Sequence, residues 1–557
     1  MLQNVLDFKC MLENINSNDS IILDKEEEFH VFSDESKVVN GYNFSNTSSI
    51  EENPLGTRPV FIYLKDKKNV TIDGHNSKII IHGIMTPFLF DNCENLTFKN
   101  FYIDYARPTM NEFKILEKIG DKEYIIKISD ESLYDIKDNR IIWHGEVNRL
   151  GNYYYEYDYR DQMVIAVYLN EKEESFFLDR EDNMRFPPVP EFESIIDLGS
   201  NKLKVKLKNK DALFMVGTTI QSRYTVRDQI GGAFIKCKNV LCENLTIKAM
   251  HGFGILSQFT DGITYRGIDI NPKPGRTIAS NADFFHFSGC KGEILIEQCN
   301  LSHGHDDFVN VHGTHLIIKE VNGRNVIATF KNDYSRGFEA FYPKDEIEFI
   351  DRKTLLPYAK ATIKNVSMLN DRDFSLELMD DVDIKIGDAI ENATWTPKVT
   401  IRNNYFGPSM GRGILATTRK EVLIENNTFY KVAGQALLIE DDCNFWFESG
   451  YVTDVTFRNN IIESCSYCNL IPGSSFPVIA INPQVLEAND GIYPHKKIRI
   501  QNNTFKNLYD DSYRINVKNT EYFEFTNNIS DKHIDIITHS VKKLKRSNNF
   551  VNDKLDN

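Results

Sequence analysis

The chain has 557 residues, with 65 Lys and Arg against 80 Asp and Glu, a formal net charge of −15 at pH 7. A hydrophobic fraction of 41%, with 12% aromatic, is enough for a large core and excludes a mostly disordered chain. The acidic balance without a long basic run leaves no electrostatic footprint for nucleic acid, and no stretch approaches the ~20 apolar residues of a membrane span.

Residues 1–57 are expected to form an N-terminal cap and first coil, an amphipathic cover for the open end of the core. The opening stretch has no charged start followed by an apolar run. No secretory signal is therefore visible, which fits a cytoplasmic protein or one shorn of its signal. Residues 58–106 and 221–314 carry phrases such as ENLTFKNFYI, ENLTIKAM and EILIEQCNL, short alternating strands separated by turn residues. In 397–545 the phrase sharpens to apolar-x-Asn-Asn-x-apolar. Its first asparagines, Asn403, Asn426, Asn459, Asn502 and Asn527, are 23, 33, 43 and 25 residues apart.

A unit in the low twenties with variable insertions marks a solenoid. Asn suits its tight turns because it tolerates the left-handed conformation, and stacked asparagines form hydrogen-bonded ladders between coils ~4.8 Å apart. The predicted fold is all-β, a right-handed parallel β-helix with two inserted antiparallel β-barrel-like domains. The insertions, at 107–220 and 315–396, are the stretches where the coil phrase gives way to strands such as KEYIIKIS and DFSLELM. Within the first, LKVKLKNK reads as a sheet edge protected by charge. Residues 546–557 are a C-terminal tail. The nine cysteines are too scattered for a disulfide framework, and the lone Cys465/Cys468 CxxC reads as small buried thiols.

The chemistry concentrates before the second insertion, in NADFFHFSGC and GHDDFVNVHG. Asp283 and Asp306 are 23 residues apart, so on successive coils they would stack at equivalent positions, with Asp307 following directly. Crowded carboxylates raise one another's pKa, which lets one stay protonated beside ionised neighbours. That is what a two-carboxylate glycosidase needs. In a flat strand Asp306 and Asp307 point to opposite faces, so both serve one site only where the strand bends. A turn cluster or a calcium site is the competing reading.

Asn-x-Asp followed one coil later by Asp-Asp resembles the polygalacturonase type of β-helix hydrolase. The match is partial: MGRGILATT puts Arg412 where that family has a histidine, and ALLIEDD offers Glu440, Asp441 and Asp442 where it has a cation for the uronate. A galacturonate would be repelled, so a neutral sugar is the better ligand. A longer resemblance, through IDGHNSKIIIHG, RDQIGGAFIKCKNVLCENLTIKAMHGFGILSQ, DFFHFSGCKGEILIEQC, HDDFVNVHGT and WFESGYVTDVTFRNN, is to the α-1,3-galactosidases of glycoside hydrolase family 110. It implies an inverting exo-hydrolase of terminal α-1,3-galactose on blood-group-B-type or linear glycans, with no metal or other cofactor. By that analogy Asp306 is the general acid, and Asp283 and Asp307 position and deprotonate the water.

Asn310 and His312 share a strand face with Asp306 and are candidates for sugar hydroxyls, as are Glu440 and Glu448. Trp446 is either a sugar platform or packing against an insertion. His286 is expected to face away from Asp283 as a core histidine; His303 and His305 are left without a role, and for Arg223 and Arg276 a structural role is favoured. The partner is an oligosaccharide or glycoconjugate, with no nucleic acid and no membrane, and a homodimer is left open. The rival functions are a β-helix glycosidase on another galactan or a galacturonan, and a non-catalytic carbohydrate-binding adhesin.

Overall fold

The computed structural model describes residues 2–24, 26–160, 165–169, 174–178, 189–208, 214–224, 226–467, 476–486 and 491–556. The architecture is a parallel β-helix whose coils form one continuous sheet, with two antiparallel units looped out of it. At the N-terminus the helix Leu2–Asn14 lays Val5, Phe8 and Leu12 into the core. The Phe8 ring sits 5.3 Å from Phe29 and 5.6 Å from Phe61. The helix thus closes the apolar end of the stack that a bare coil would leave open. The first coil strand, Ser20–Ile22, already pairs in parallel with Lys68–His82.

Each insertion leaves its flanking coils in register. Glu94–Tyr105 pairs directly with Lys238–Ile247, placing Leu96 beside Val240. Lys291–Glu297 pairs with Lys398–Arg402, placing Ile294 beside Val399. The first insertion holds an antiparallel seven-stranded sheet that includes Met110–Lys118 and Thr218–Arg223, around its own core of Phe113, Ile126, Trp143 and Val205. The second is a closed six-stranded barrel from Leu316 to Asn392, packed on Phe349, Ile363 and Leu376. The lysine-rich strand Lys202–Leu207 lies inside the first sheet and not at its edge. Its lysines face carboxylates on both neighbouring strands, Lys204 to Glu123 at 3.0 Å and Lys206 to Glu193 at 2.9 Å.

The paired asparagines divide their work. The first of each pair, Asn403, Asn426, Asn459, Asn502 and Asn527, sits at φ between 55° and 57°, the left-handed turn that Asn tolerates. The second is buried and forms a ladder. Asn404 Nδ2 donates to Asn427 Oδ1 at 2.9 Å, Asn427 to Asn460 at 3.1 Å, Asn460 to Asn503 at 3.1 Å, and so on to Asn528 and Asn549. Backbone N–H groups of the same residues donate into the same oxygens, so every rung joins two coils. Cys465 is a buried thiol, as are Cys93, Cys237, Cys242, Cys290, Cys299 and Cys443; Cys468 lies outside the described residues. No helix among the described residues is long and apolar enough to cross a membrane.

Candidate active site

Three stacked strands carry the site: Phe285–Ser288, Val309–Thr314 and Ile414–Ala416. Phe285 pairs with Val309 and Val309 with Ile414. Counting back two residues, Asp283 lies level with Asp307 and Arg412, not with Asp306. The coil here is one residue longer than the 23-residue step suggests: Ser280 pairs with Gly304 and Phe285 with Val309, each 24 residues on, and Asp306 sits in a bend before the strand. That bend turns Asp306 and Asp307 to one side, as the site required. Gly411 permits it: a Cβ there would stand 2.1 Å from the Asp306 carbonyl carbon.

The structure brings Asp283, Asp306 and Asp307 together, with one carboxylate oxygen of each within 4.8 Å of the others. Arg412 clasps Asp307 in a fork, Nε to Oδ1 at 2.7 Å and Nη2 to Oδ2 at 2.8 Å, and its backbone N–H adds a third bond at 3.1 Å. Arg227 Nη2 lies 3.4 Å from Asp306. Burial, followed by the Asp306 charge, pushes the Asp283 carboxyl well up. Burial also pushes Asp307 up to about 8 although Arg412 pulls against it. Oxygens at this spacing are able to hold a cation, and Arg412, bonded to both Asp307 oxygens, sets a positive charge against one.

His286 corrects the expectation that it faces away. Asp283 precedes the strand proper, so strand alternation does not govern the pair, and His286 Nδ1 lies 2.8 Å from Asp283 Oδ2. Behind it, His286 Nε2 meets His312 Nε2 at 2.9 Å, and His312 Nδ1 meets the Gly313 carbonyl at 2.5 Å. A carbonyl only accepts, so His312 Nδ1 donates to it, and with burial favouring the protonated Asp283 the His286 ring accepts at Nδ1 and donates from Nε2 to His312. Burial holds His286 well below its usual pKa, so its Nδ1 is left as an acceptor and Asp283 supplies the proton of that bond. His312 is therefore one layer behind the cavity and does not line it as expected.

The cavity above the carboxylates measures about 500 Å³, in the range of small-ligand sites. Asn310, Arg412, Glu440, Trp446 and Glu448 all line it. Glu448 accepts from Asn46 Nδ2 at 2.5 Å and Asn310 Nδ2 at 3.4 Å. Glu440 accepts from Gln484, and burial pushes its carboxyl up. Asp442 is an anchor for the aromatic loop: it accepts backbone N–H bonds from Asn444 at 2.7 Å, Phe445 at 3.0 Å, Trp446 and Phe447 at 3.1 Å. Held this way, Phe445 and Trp446 project into the open, 74% and 41% exposed. Asp441 is turned inward to His315 at 3.0 Å. Arg276 is structural, paired with Asp104 at 2.7 Å and with Glu131.

Sequence reasoning missed Asn46, Arg227, Phe253, Phe445 and Gln484, all on the cavity wall. Arg227 follows the first insertion and Phe253 lies level with Asp283 one coil earlier, positions a stacking argument was able to reach. Asn46 had no local signal, being 402 residues from its partner Glu448.

The barrel matches the family model described as GLAA-B beta-barrel domain II over residues 325–390. The C-terminal coils match that of a right handed beta helix region over 389–553. Among solved structures, a Yersinia enterocolitica family 28 exopolygalacturonase is similar at a TM-score of 0.32 with 11% identity, over 94% of this chain and 78% of that one. The chain is 34% identical to alpha-1,3-galactosidase A of Bacteroides thetaiotaomicron, over 86% of its length and 80% of that protein's. It is 33% identical to alpha-1,3-galactosidase A of Akkermansia muciniphila, over 86% and 76%. With alpha-1,3-galactosidase B of B. thetaiotaomicron it shares 31%, over 84% and 74%. By its sequence, its coiled fold and its inserted barrel, the chain belongs to the α-1,3-galactosidase family of glycoside hydrolases.

Proposed function

We propose that the protein is an exo-acting hydrolase that releases terminal α-1,3-linked galactose, from branched blood-group-B-type or linear glycans, with inversion. The observation that carries this reading is the carboxylate triad lining a cavity of about 500 Å³. A cavity of this size suits the single terminal sugar of an exo-enzyme, and its wall includes Asn46 from the N-terminal segment and the aromatic residues Phe445 and Trp446. Seven acidic residues, Asp283, Asp306, Asp307, Glu440, Asp441, Asp442 and Glu448, meet only two guanidinium groups, Arg227 and Arg412, among the lining residues. This balance disfavours a galacturonate and suits a neutral sugar whose hydroxyls donate to carboxylates. Trp446 offers its face to the apolar side of the ring.

Exposure supports the division of roles. The Asp306 side chain is 29% exposed against 5% for Asp283 and 1% for Asp307, so Asp306 is the one able to reach the glycosidic oxygen. As general acid it protonates the departing oxygen. Asp307 takes the proton of a water attacking the anomeric carbon; burial pushes its carboxyl up to about 8 against the pull of Arg412, so the ionised form that this step needs grows as pH rises toward that value. Asp283, bonded to His286, positions that water. Within so tight a cluster the titrating proton belongs to the group as a whole.

One observation favours retention instead: the nearest oxygens lie inside 4.8 Å, closer to the ~5–5.5 Å carboxyl spacing of retaining enzymes than to the ~6.5–9.5 Å of inverting ones. Against it, both Asp307 oxygens are engaged by Arg412 and Asp283 is engaged by His286. Proton NMR of the first sugar released from branched B trisaccharide and linear α-1,3-galactobiose tests both points. Early β-galactose supports inversion, early α-galactose refutes it, and no galactose from either refutes the assigned substrate.

A further inference from the structure

Beside the first cavity lies a second of about 680 Å³, between the end of the first inserted sheet and the later coils. The two share Asp306, Arg412 and Glu440, whereas Asp283 and Asp307 line only the first. If Asp306 protonates the oxygen between the terminal galactose and the rest of the glycan, the space on its far side receives the departing sugar.

The wall of that space holds an unpaired buried cation. Arg223, the last residue of the strand Thr218–Arg223, is only 9% exposed. Its Nε makes no hydrogen bond, and among the described residues no carboxylate lies within 4.0 Å of it. Burial pulls its guanidinium down to about 10. The buried Arg276, Arg412 and Arg419, by contrast, each grip carboxylates. A buried charge without a partner is costly, and here the open side is a cavity. Lys518, exposed on the same wall, adds a second positive charge.

Hydroxyl acceptors stand nearby. Gln221 Nε2 donates to Thr277, so its Oε1 accepts from His305 Nε2 at 2.7 Å. The His305 ring, kept neutral by burial, is then left with Nδ1 as a lone-pair acceptor that has no donor. The buried Asn516 Oδ1 is likewise unpartnered. Both residues line this cavity.

We propose that the second cavity binds the sugar that leaves, and that Arg223 recognises an anionic substituent on it, a sulfate ester or a carboxylate. The guanidinium fork matches either anion in two parallel bonds, while His305 and Asn516 take hydroxyl hydrogens of the same ring. The inference rests on the functional reading above.

The test compares α-galactosyl-1,3-galactosides whose reducing sugar is neutral, 6-sulfated or a uronate, using the full-length protein and its Arg223→Met and Arg223→Lys variants. The anionic substrates are expected to exceed the neutral one in kcat/KM by about tenfold, mainly through KM. That ratio falls toward one in Arg223→Met and recovers in part in Arg223→Lys. The sulfated and uronate arms identify which anion is used. An NMR titration of galactose 6-sulfate, galacturonate and galactose into wild type and Arg223→Met reads binding without turnover. Equal handling of anionic and neutral sugars by wild type, or a preference that survives in Arg223→Met, overturns the proposal. Arg223-dependent binding of galactose 6-sulfate with no hydrolysis of any substrate would refute the galactosidase reading and leave the anion site supported.

Discussion

The two asparagines of one Asn-Asn pair should respond oppositely to substitution, and Asn459 and Asn460 give the clearest comparison. Asn460 Oδ1 accepts from the Asn427 backbone N–H at 2.9 Å and from Asn427 Nδ2 at 3.1 Å. Asn460→Ala strips both buried donors of that acceptor, at ~1–3 kcal/mol for each group left unsatisfied, or about 2–6 kcal/mol together. With an unfolding entropy of ~2.1 cal/mol/K per residue over 557 residues, this lowers Tm by about 2–5 °C. Asn459, exposed and at φ 55°, is chosen for its backbone. Asn459→Gly meets that conformation freely and should melt within about 1 °C of wild type. Thermal unfolding followed by circular dichroism at one scan rate measures both. An Asn460→Ala protein melting with wild type, or an Asn459→Gly protein falling as far as Asn460→Ala, would refute the reasoning.

Asp306→Asn removes the transferable proton while keeping the side-chain shape, so kcat should fall by ~10²–10⁴ with substrate binding and Tm little changed; steady-state kinetics on an α-1,3-galactoside checks this. Because Asp307 is pushed up to about 8 and takes the water's proton only when ionised, kcat/KM should rise with pH, approaching tenfold per unit, until it levels near 8, and a flat profile from pH 5 to 8 would contradict it. Asp283 is raised on folding, so its contribution to stability is full below the unfolded value near 4 and is lost as pH rises toward the folded one. Asp283→Asn, whose amide donates to His286 in the same way, should erase that loss: it melts above wild type at pH 8 and with it at pH 4.

Periodicity made the coils legible, and it made both insertions visible as interruptions, because every coil repeats the same steric problem with the same residues. The carboxylate triad was legible for the same reason. Its register was not: Asp283 lies level with Asp307 because this coil runs 24 residues and not 23, a difference of one that the spacing of two aspartates does not reveal. His286 was misread because alternation holds within a strand, while its partner lies just before one. Arg412 stood out as a departure from a familiar pattern, yet its fork onto Asp307 depends on the stacking of coils separated by a whole barrel. Distant contributions such as Asn46 are written in no local pattern.

The contact between Asn46 and Glu448 also sets an order of events in synthesis. The chain emerges from its N-terminus, so the segment around Asn46 exists long before its partners. The 402 residues between the two take roughly 20–80 s to translate at ~5–20 residues per second. Through that interval the coils can stack one upon another as they appear, but the near wall of the cavity has nothing to close against. Ser335, which donates to Asn46 at 2.9 Å, arrives next, and Glu448 last. A nascent chain stalled before the final coils therefore carries all three aspartates without a finished pocket around them, and hydrolysis begins only after the first-made segment has been fastened by nearly the last.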